Sequence, residues 1–163
     1  MTLALNSSEK SRVGLRIAGA ALALGVFAFT ATPSSADEPK STAPLKVRLT
    51  QLHSDKGRTG CFLYTGPRGF PIDASAAVQQ RWAKIDHGTS ECTFAPIEKG
   101  TYAVACFHDE NGNGKLDKNF FGIPSEGSIV SNEAKGSFGP PKWDQAKFQF
   151  SGKPTQLTLR MRY

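Results

Sequence analysis

Period-two alternation constrains this chain more than any other feature. Leu45, Val47 and Leu49 face one way while Lys46, Arg48 and Thr50 face the other. The same beat returns near the far end. There Ala146, Phe148 and Phe150 alternate with Lys147 and Gln149, and Leu157, Leu159, Met161 and Tyr163 alternate with Thr158, Arg160 and Arg162. Successive side chains of a strand point to opposite faces, so these runs are half-buried strands and do not suit a helix. Arg58 to Thr65, with Cys61 inside it, and Ser90 to Phe94, with Cys92 and Phe94 on one face, read as further strands. Thr101 to His108 is apolar on both faces, the mark of a strand through a sheet centre. One short helix is expected after Asp73, which can cap it; Ala74, Ala77, Val78 and Arg81-Trp82 fall on a helical stripe. No strand–helix alternation appears. The fold class is therefore all-β: an antiparallel β-sandwich with one short helix and one long ordered loop.

The N-terminal segment is not part of that fold. Lys10, Arg12 and Arg16 precede an uncharged run from Ile17 to Phe29, and Ser34-Ser35-Ala36 then supplies small residues. That order is a signal peptide, expected to be cleaved between Ala36 and Asp37. Residues 37–44 read as a polar linker and 45–163 as a single domain. Removing Lys10, Arg12, Arg16 and Glu9 takes the net charge from +6 to +4. The remaining basic residues are scattered, which argues against a nucleic-acid partner. No mature segment is apolar enough to span a membrane. Export implies a periplasmic or extracellular, oxidising compartment. The three cysteines, Cys61, Cys92 and Cys106, then suggest one bridge and one free thiol.

One stretch carries specific chemistry. In Asp109-Glu110-Asn111-Gly112-Asn113-Gly114-Lys115-Leu116-Asp117, oxygen side chains recur at alternate positions and a glycine follows. This is the front half of a calcium loop of the D-x-[DN]-x-[DN]-G type. Calcium takes six to eight oxygens, and alternate residues of a tight turn converge on one point. The expected ligands are Asp109, Asn111, Asn113, the Lys115 carbonyl and Asp117, with Glu126 as a further candidate folding back. It is not an EF-hand, because Phe120 stands where the bidentate glutamate belongs and a strand leads in. A turn held by Asx side chains is the bland alternative. From Asp109 to Pro141 no period of either kind holds. The segment carries Phe120, Phe121, Ile123, Ile129, Val130 and Phe138, too many apolar groups for a solvated linker. It is expected to pack on the sheet edge.

Several of these runs resemble a known family. Gly100-Thr-Tyr-Ala-Val-Ala, His108 to Asp117, Asn119-Phe-Phe-Gly-Ile-Pro-Ser-Glu-Gly127, Ser131-Asn132, Gly139-Pro-Pro141 and Ala146-Lys-Phe148 occur in order. Together they resemble the secreted bacterial proteins grouped as domain of unknown function 2141. The resemblance implies a transthyretin-like or carboxypeptidase-regulatory-like sandwich of seven or eight strands, and no established activity. It also implies a Cys61–Cys92 bridge with Cys106 as the free thiol.

Catalytic readings are thinner. There is no G-x-S-x-G, no H-E-x-x-H and no C-x-x-C. His108 reads as a strand-end histidine bonded to backbone; His53 and His87 read as solvated turn residues. Trp82, Trp143, Phe120, Phe121 and Tyr102 read as core before they read as a ligand groove. The leading expectation is a non-catalytic envelope module whose cation-organised loop meets an envelope protein or polymer. The alternatives are a small envelope-polymer hydrolase centred on Asp109, Asp117, Glu126 and His108, and a structural or assembly protein of the envelope.

Overall fold

The computed structural model describes residues 41–163. The expected signal peptide, its Ala36/Asp37 cleavage point and residues 37–40 of the linker lie outside the described residues. The strands are β1 (Thr42–Thr50), β2 (Arg58–Tyr64), β3 (Gln79–Ala83), β4 (Ile85–Asp86), β5 (Thr89–Glu98), β6 (Gly100–Asp109), β7 (Ser128–Val130), β8 (Phe148–Phe150) and β9 (Thr155–Arg160). The first sheet runs in the order β4-β5-β1-β9; the second runs β3-β2-β6-β7, with β8 also paired to β6. The all-β two-sheet architecture is the expected one. β1 begins at Thr42, so the last residues assigned to the linker are already in the sheet.

Period two sets the core. Leu45, Val47 and Leu49 of β1, Cys92 and Phe94 of β5 and Leu159 of β9 are buried from the first sheet. They share one cluster with Cys61 and Leu63 of β2, Val104 and Cys106 of β6, Ile129 and Phe150. A second cluster holds Phe62, Tyr64, Ala103, Ala105, Phe107, Val130 and Ala146. Phe62 and Tyr64, and Ala103 and Ala105, alternate with the inward residues of their strands, so this cluster lies on the other face of the second sheet. Both faces of β6 are therefore covered, which is why Thr101 to His108 shows no alternation.

Four sequence expectations change. The β1–β9 pair is parallel, with Val47 opposite Leu157, so the sandwich is not wholly antiparallel; alternation fixes a strand's faces but not its direction. The helix after Asp73 reduces to a 3-10 turn, Ala74–Ala76, capped by Asp73 Oδ1 on the Ser75 N–H at 2.9 Å. Arg81 and Trp82 instead belong to β3, which takes the free edge of β2. A stripe that short cannot repay helix nucleation against a waiting ladder. The helix that forms is α1 (Trp143–Ala146), so Ala146 ends a helical turn and does not begin β8. The Asp109–Pro141 excursion covers the outer face of the second sheet with Leu116 and Ala134. Phe120, Phe121, Ile123 and Phe138 remain exposed, at 98%, 82%, 59% and 106% of full accessibility.

The disulfide also differs from the expected pairing. It joins Cys61 to Cys106, with Cα atoms 4.2 Å apart, and Cys92 is the buried free thiol. Cys61 and Cys106 lie directly opposite each other on β2 and β6, and facing residues of an antiparallel pair bring their side chains together. Cys92 belongs to the other sheet. Its thiol contacts Thr59 Oγ1 and the Arg81 carbonyl, and burial pushes its pKa up to about 11.

Candidate functional site

β6 delivers Asp109 into the loop fully buried. Asp109 Oδ2 accepts from Arg58 Nε and from the Gly114 N–H, each at 3.0 Å. Asp109 Oδ1 is buried and has no hydrogen-bond partner. An unpaired buried carboxylate oxygen is costly. Asn111 Oδ1 accepts from the Asn113 N–H at 3.0 Å, and Asn113 Oδ1 from the Lys115 N–H at 2.8 Å. These are Asx turns, which aim each side-chain oxygen back over the loop. Asp117 accepts from both amides: Asn111 Nδ2 at 2.7 Å and Asn113 Nδ2 at 3.0 Å. Gly112 and Gly114 hold φ of 75° and 80°, where a side chain would be strained.

The structure thus brings Asp109, Asn111, Asn113, Lys115 and Asp117 into one turn. Glu126 folds back onto the loop's backbone. Its Oε1 accepts from the Glu110 N–H at 2.9 Å and its Oε2 from the Asp117 N–H at 3.0 Å, with the residue 6% exposed. It clamps the two ends of the loop together. A cation already borders the site: the Arg58 guanidinium lies on Asp109 and 4.1 Å above the Trp82 ring. Beyond Asp117, Asn119 Oδ1 accepts from the N–H groups of Phe121 and Ile123 at 3.0 and 3.1 Å. A Lys118–Pro124 bridge closes that second turn, with Phe120 and Phe121 at its tip.

His108 points elsewhere. It is fully buried, with Nε2 2.8 Å from the Lys56 carbonyl and Nδ1 2.7 Å from the Tyr163 hydroxyl. The backbone bond was legible in the sequence; the tyrosine was not. His53, expected to be solvated, stacks on Tyr163 with ring centroids 3.8 Å apart and places Nε2 3.0 Å from Glu110 Oε1. Burial first, and the Glu110 carboxylate behind it, raise the Tyr163 phenol above its usual value. Gly57 makes this turn fit, since a Cβ there would run into the Asp109 carbonyl oxygen. Nothing in the spacing of His53, His108 and Tyr163 signals the meeting, which depends on the β2–β6 register and on the chain end crossing to Ser128.

Among curated proteins and solved structures, none matches this chain. A family profile does match, over residues 47–158, which takes in both sheets, the Asp109–Asp117 loop and Glu126. The chain belongs to the bacterial family described as an uncharacterized protein conserved in bacteria (DUF2141).

Proposed function

We propose that the protein is an exported, non-catalytic β-sandwich module whose Asp109–Asp117 loop takes up calcium and presents a binding surface to an envelope protein or polymer. The observation that carries this reading is Asp109 Oδ1, buried and unpaired at the head of the turn that holds Asn111, Asn113 and Asp117. A hard cation supplies the missing partner, and the donor set is the oxygen set it prefers. Asp109, Asn111, Asn113, the Lys115 carbonyl and Asp117 ligate; Glu126 buttresses the loop from behind. Arg58 gives up its place on Asp109 when the ion enters, because two cations cannot share one carboxylate cheaply. The ion then stiffens the chain leading to the exposed Phe120–Phe121 tip, the natural contact surface. The disulfide and the N-terminal targeting pattern support export. Hydrolysis is the weaker reading. His108 and Asp109 are fully buried and both Glu126 oxygens are engaged, whereas a general acid or base must reach its substrate.

Calorimetric melts in calcium and in chelator test the proposal. An ion bound only to the native state stabilises it by about 2.7 kcal/mol at a hundredfold excess over Kd. Tm rises with millimolar calcium, and the rise vanishes in an Asn111→Ala/Asn113→Ala double variant, whose exposed side chains are not needed for folding. Arg58→Gln, freed of the competing cation, binds calcium more tightly. A wild-type melt indifferent to calcium sinks the proposal.

A further inference from the structure

We propose that His53, His108 and Glu110, closed by Tyr163, form a second metal site, for a divalent transition metal of the zinc class. The proposal rests on side chains other than the calcium ligands, although Glu110 belongs to the same loop, and it is tested separately.

Three segments distant in sequence meet here. His53 lies in the turn between β1 and β2, His108 and Glu110 at the end of β6, and Tyr163 beyond β9. His53 Nε2 is 3.0 Å from Glu110 Oε1, and His108 Nδ1 is 3.9 Å from the same oxygen. All three ligand atoms lie within 4.8 Å of one another. Ligands around tetrahedral zinc, at about 2.0–2.1 Å from the metal, stand about 3.3 Å apart. The cluster therefore needs only side-chain adjustments of ångström size to enclose an ion.

The tautomer of His108 is fixed in the required sense. Its Nε2 faces the Lys56 carbonyl at 2.8 Å, and a carbonyl only accepts, so Nε2 carries the proton. Nδ1 therefore presents its lone pair toward Glu110 and Tyr163. A backbone carbonyl behind a ligating imidazole is the usual outer-shell support of a metal-bound histidine. Two imidazoles and one carboxylate suit zinc, with copper(II) the stronger competitor and calcium a poor one. The Tyr163 hydroxyl, 2.7 Å from Nδ1, or a water fills the fourth position. Access is open on one side: His108 is fully buried, but the His53 side chain is 50% exposed and that of Glu110 27%.

The test uses tag-free protein, stripped with chelator and held in millimolar calcium so that oxygen sites are occupied. Cobalt(II) serves as a spectroscopic probe, with zinc competition and calorimetry for affinity. The expected result is one saturable equivalent whose visible absorption has the intensity of tetrahedral cobalt and is bleached by zinc. His53→Ala should weaken zinc by more than about a hundredfold, since removing a ligand exceeds the 10–100-fold cost of losing an outer-shell partner. Glu110→Gln should weaken it too, while keeping the backbone N–H that Glu126 holds. His87→Ala, at an exposed histidine beside Asp86, should leave it unchanged. The proposal is overturned if no saturable equivalent binds, if His53→Ala binds as well as the wild type, or if His87→Ala loses as much. Zinc binding with no calcium response would retain this site and remove the calcium loop.

Discussion

Glu126→Gln is the perturbation that best isolates how the long loop is held. In the native protein each carboxylate oxygen takes one backbone N–H, Glu110 at 2.9 Å and Asp117 at 3.0 Å, in a residue 6% exposed. Glutamine keeps the shape but offers one acceptor and turns an NH2 toward the other N–H. One charge-assisted bond, worth about 1.5–3 kcal/mol, is lost, and the surviving one becomes a neutral bond of about 1 kcal/mol. Relief of the buried charge returns part of that, so the net cost is about 2–3 kcal/mol. In a domain of this size that lowers Tm by about 10 °C. Denaturant unfolding measures the total, and native-state hydrogen exchange locates it: the Glu110 and Asp117 amides should lose protection while β1 and β2 keep theirs. Glu91→Gln, in a surface pair with Lys46, is the control and should change stability by less than about 1 kcal/mol. The reasoning fails if Glu126→Gln behaves like that control, or if the two amides exchange at unchanged rates.

Other outcomes follow from the same geometry. Non-reducing peptide mapping should find Cys61 joined to Cys106, and a Cys61–Cys92 peptide would refute the register described above. Opening that bridge, which spans 45 residues, should cost about 4 kcal/mol by chain entropy. Cys92, with its thiol near 11, should resist an aromatic disulfide reagent at mildly alkaline pH until the protein unfolds. Glu133 is held to a pKa of about 2, chiefly by its hydrogen bonds to Arg160 at 2.8 Å and also by the charges of Arg160 and Arg162. Because its folded value is depressed, its contribution is present above the ordinary 4.5 and is lost as pH falls toward 2. A carboxyl titration followed by NMR that places Glu133 above 4 would contradict this.

The alternation of Leu45 to Thr50 and the two-faced burial of Thr101 to His108 are legible because burial on one face leaves an alternating trace and burial on both leaves an unbroken apolar run. The parallel partner of β1 was not, since a strand looks the same read toward either neighbour. Arg81 and Trp82 of β3 fall on a helical stripe because an edge strand with half its side chains in solvent carries a weak pattern, and its pairing with β2 is decided elsewhere. The pairing of Cys61 with Cys106 needed the β2–β6 register, which no local signal states. Within the loop, the Asx turns of Asn111 and Asn113 were visible in the alternation of oxygens and glycines. The clamp by Glu126, the Arg58 guanidinium and the gathering of His53 and Tyr163 around His108 all depend on long-range closure.

The parallel β1–β9 pair sets the order in which the fold can be completed. Thr50 and Leu159, linked by a side-chain hydrogen bond, are 109 residues apart. β2 and β6, and β1 and β5, can zip as antiparallel neighbours once the middle of the chain is present. The side of β1 away from β5 stays unpaired until β9 arrives, and an unpaired edge recruits other chains. Topologies dominated by such distant pairings fold slowly. While β9 is unseated, that side of β1 stays an open edge, so the interval before the parallel pair forms is the one most exposed to intermolecular pairing.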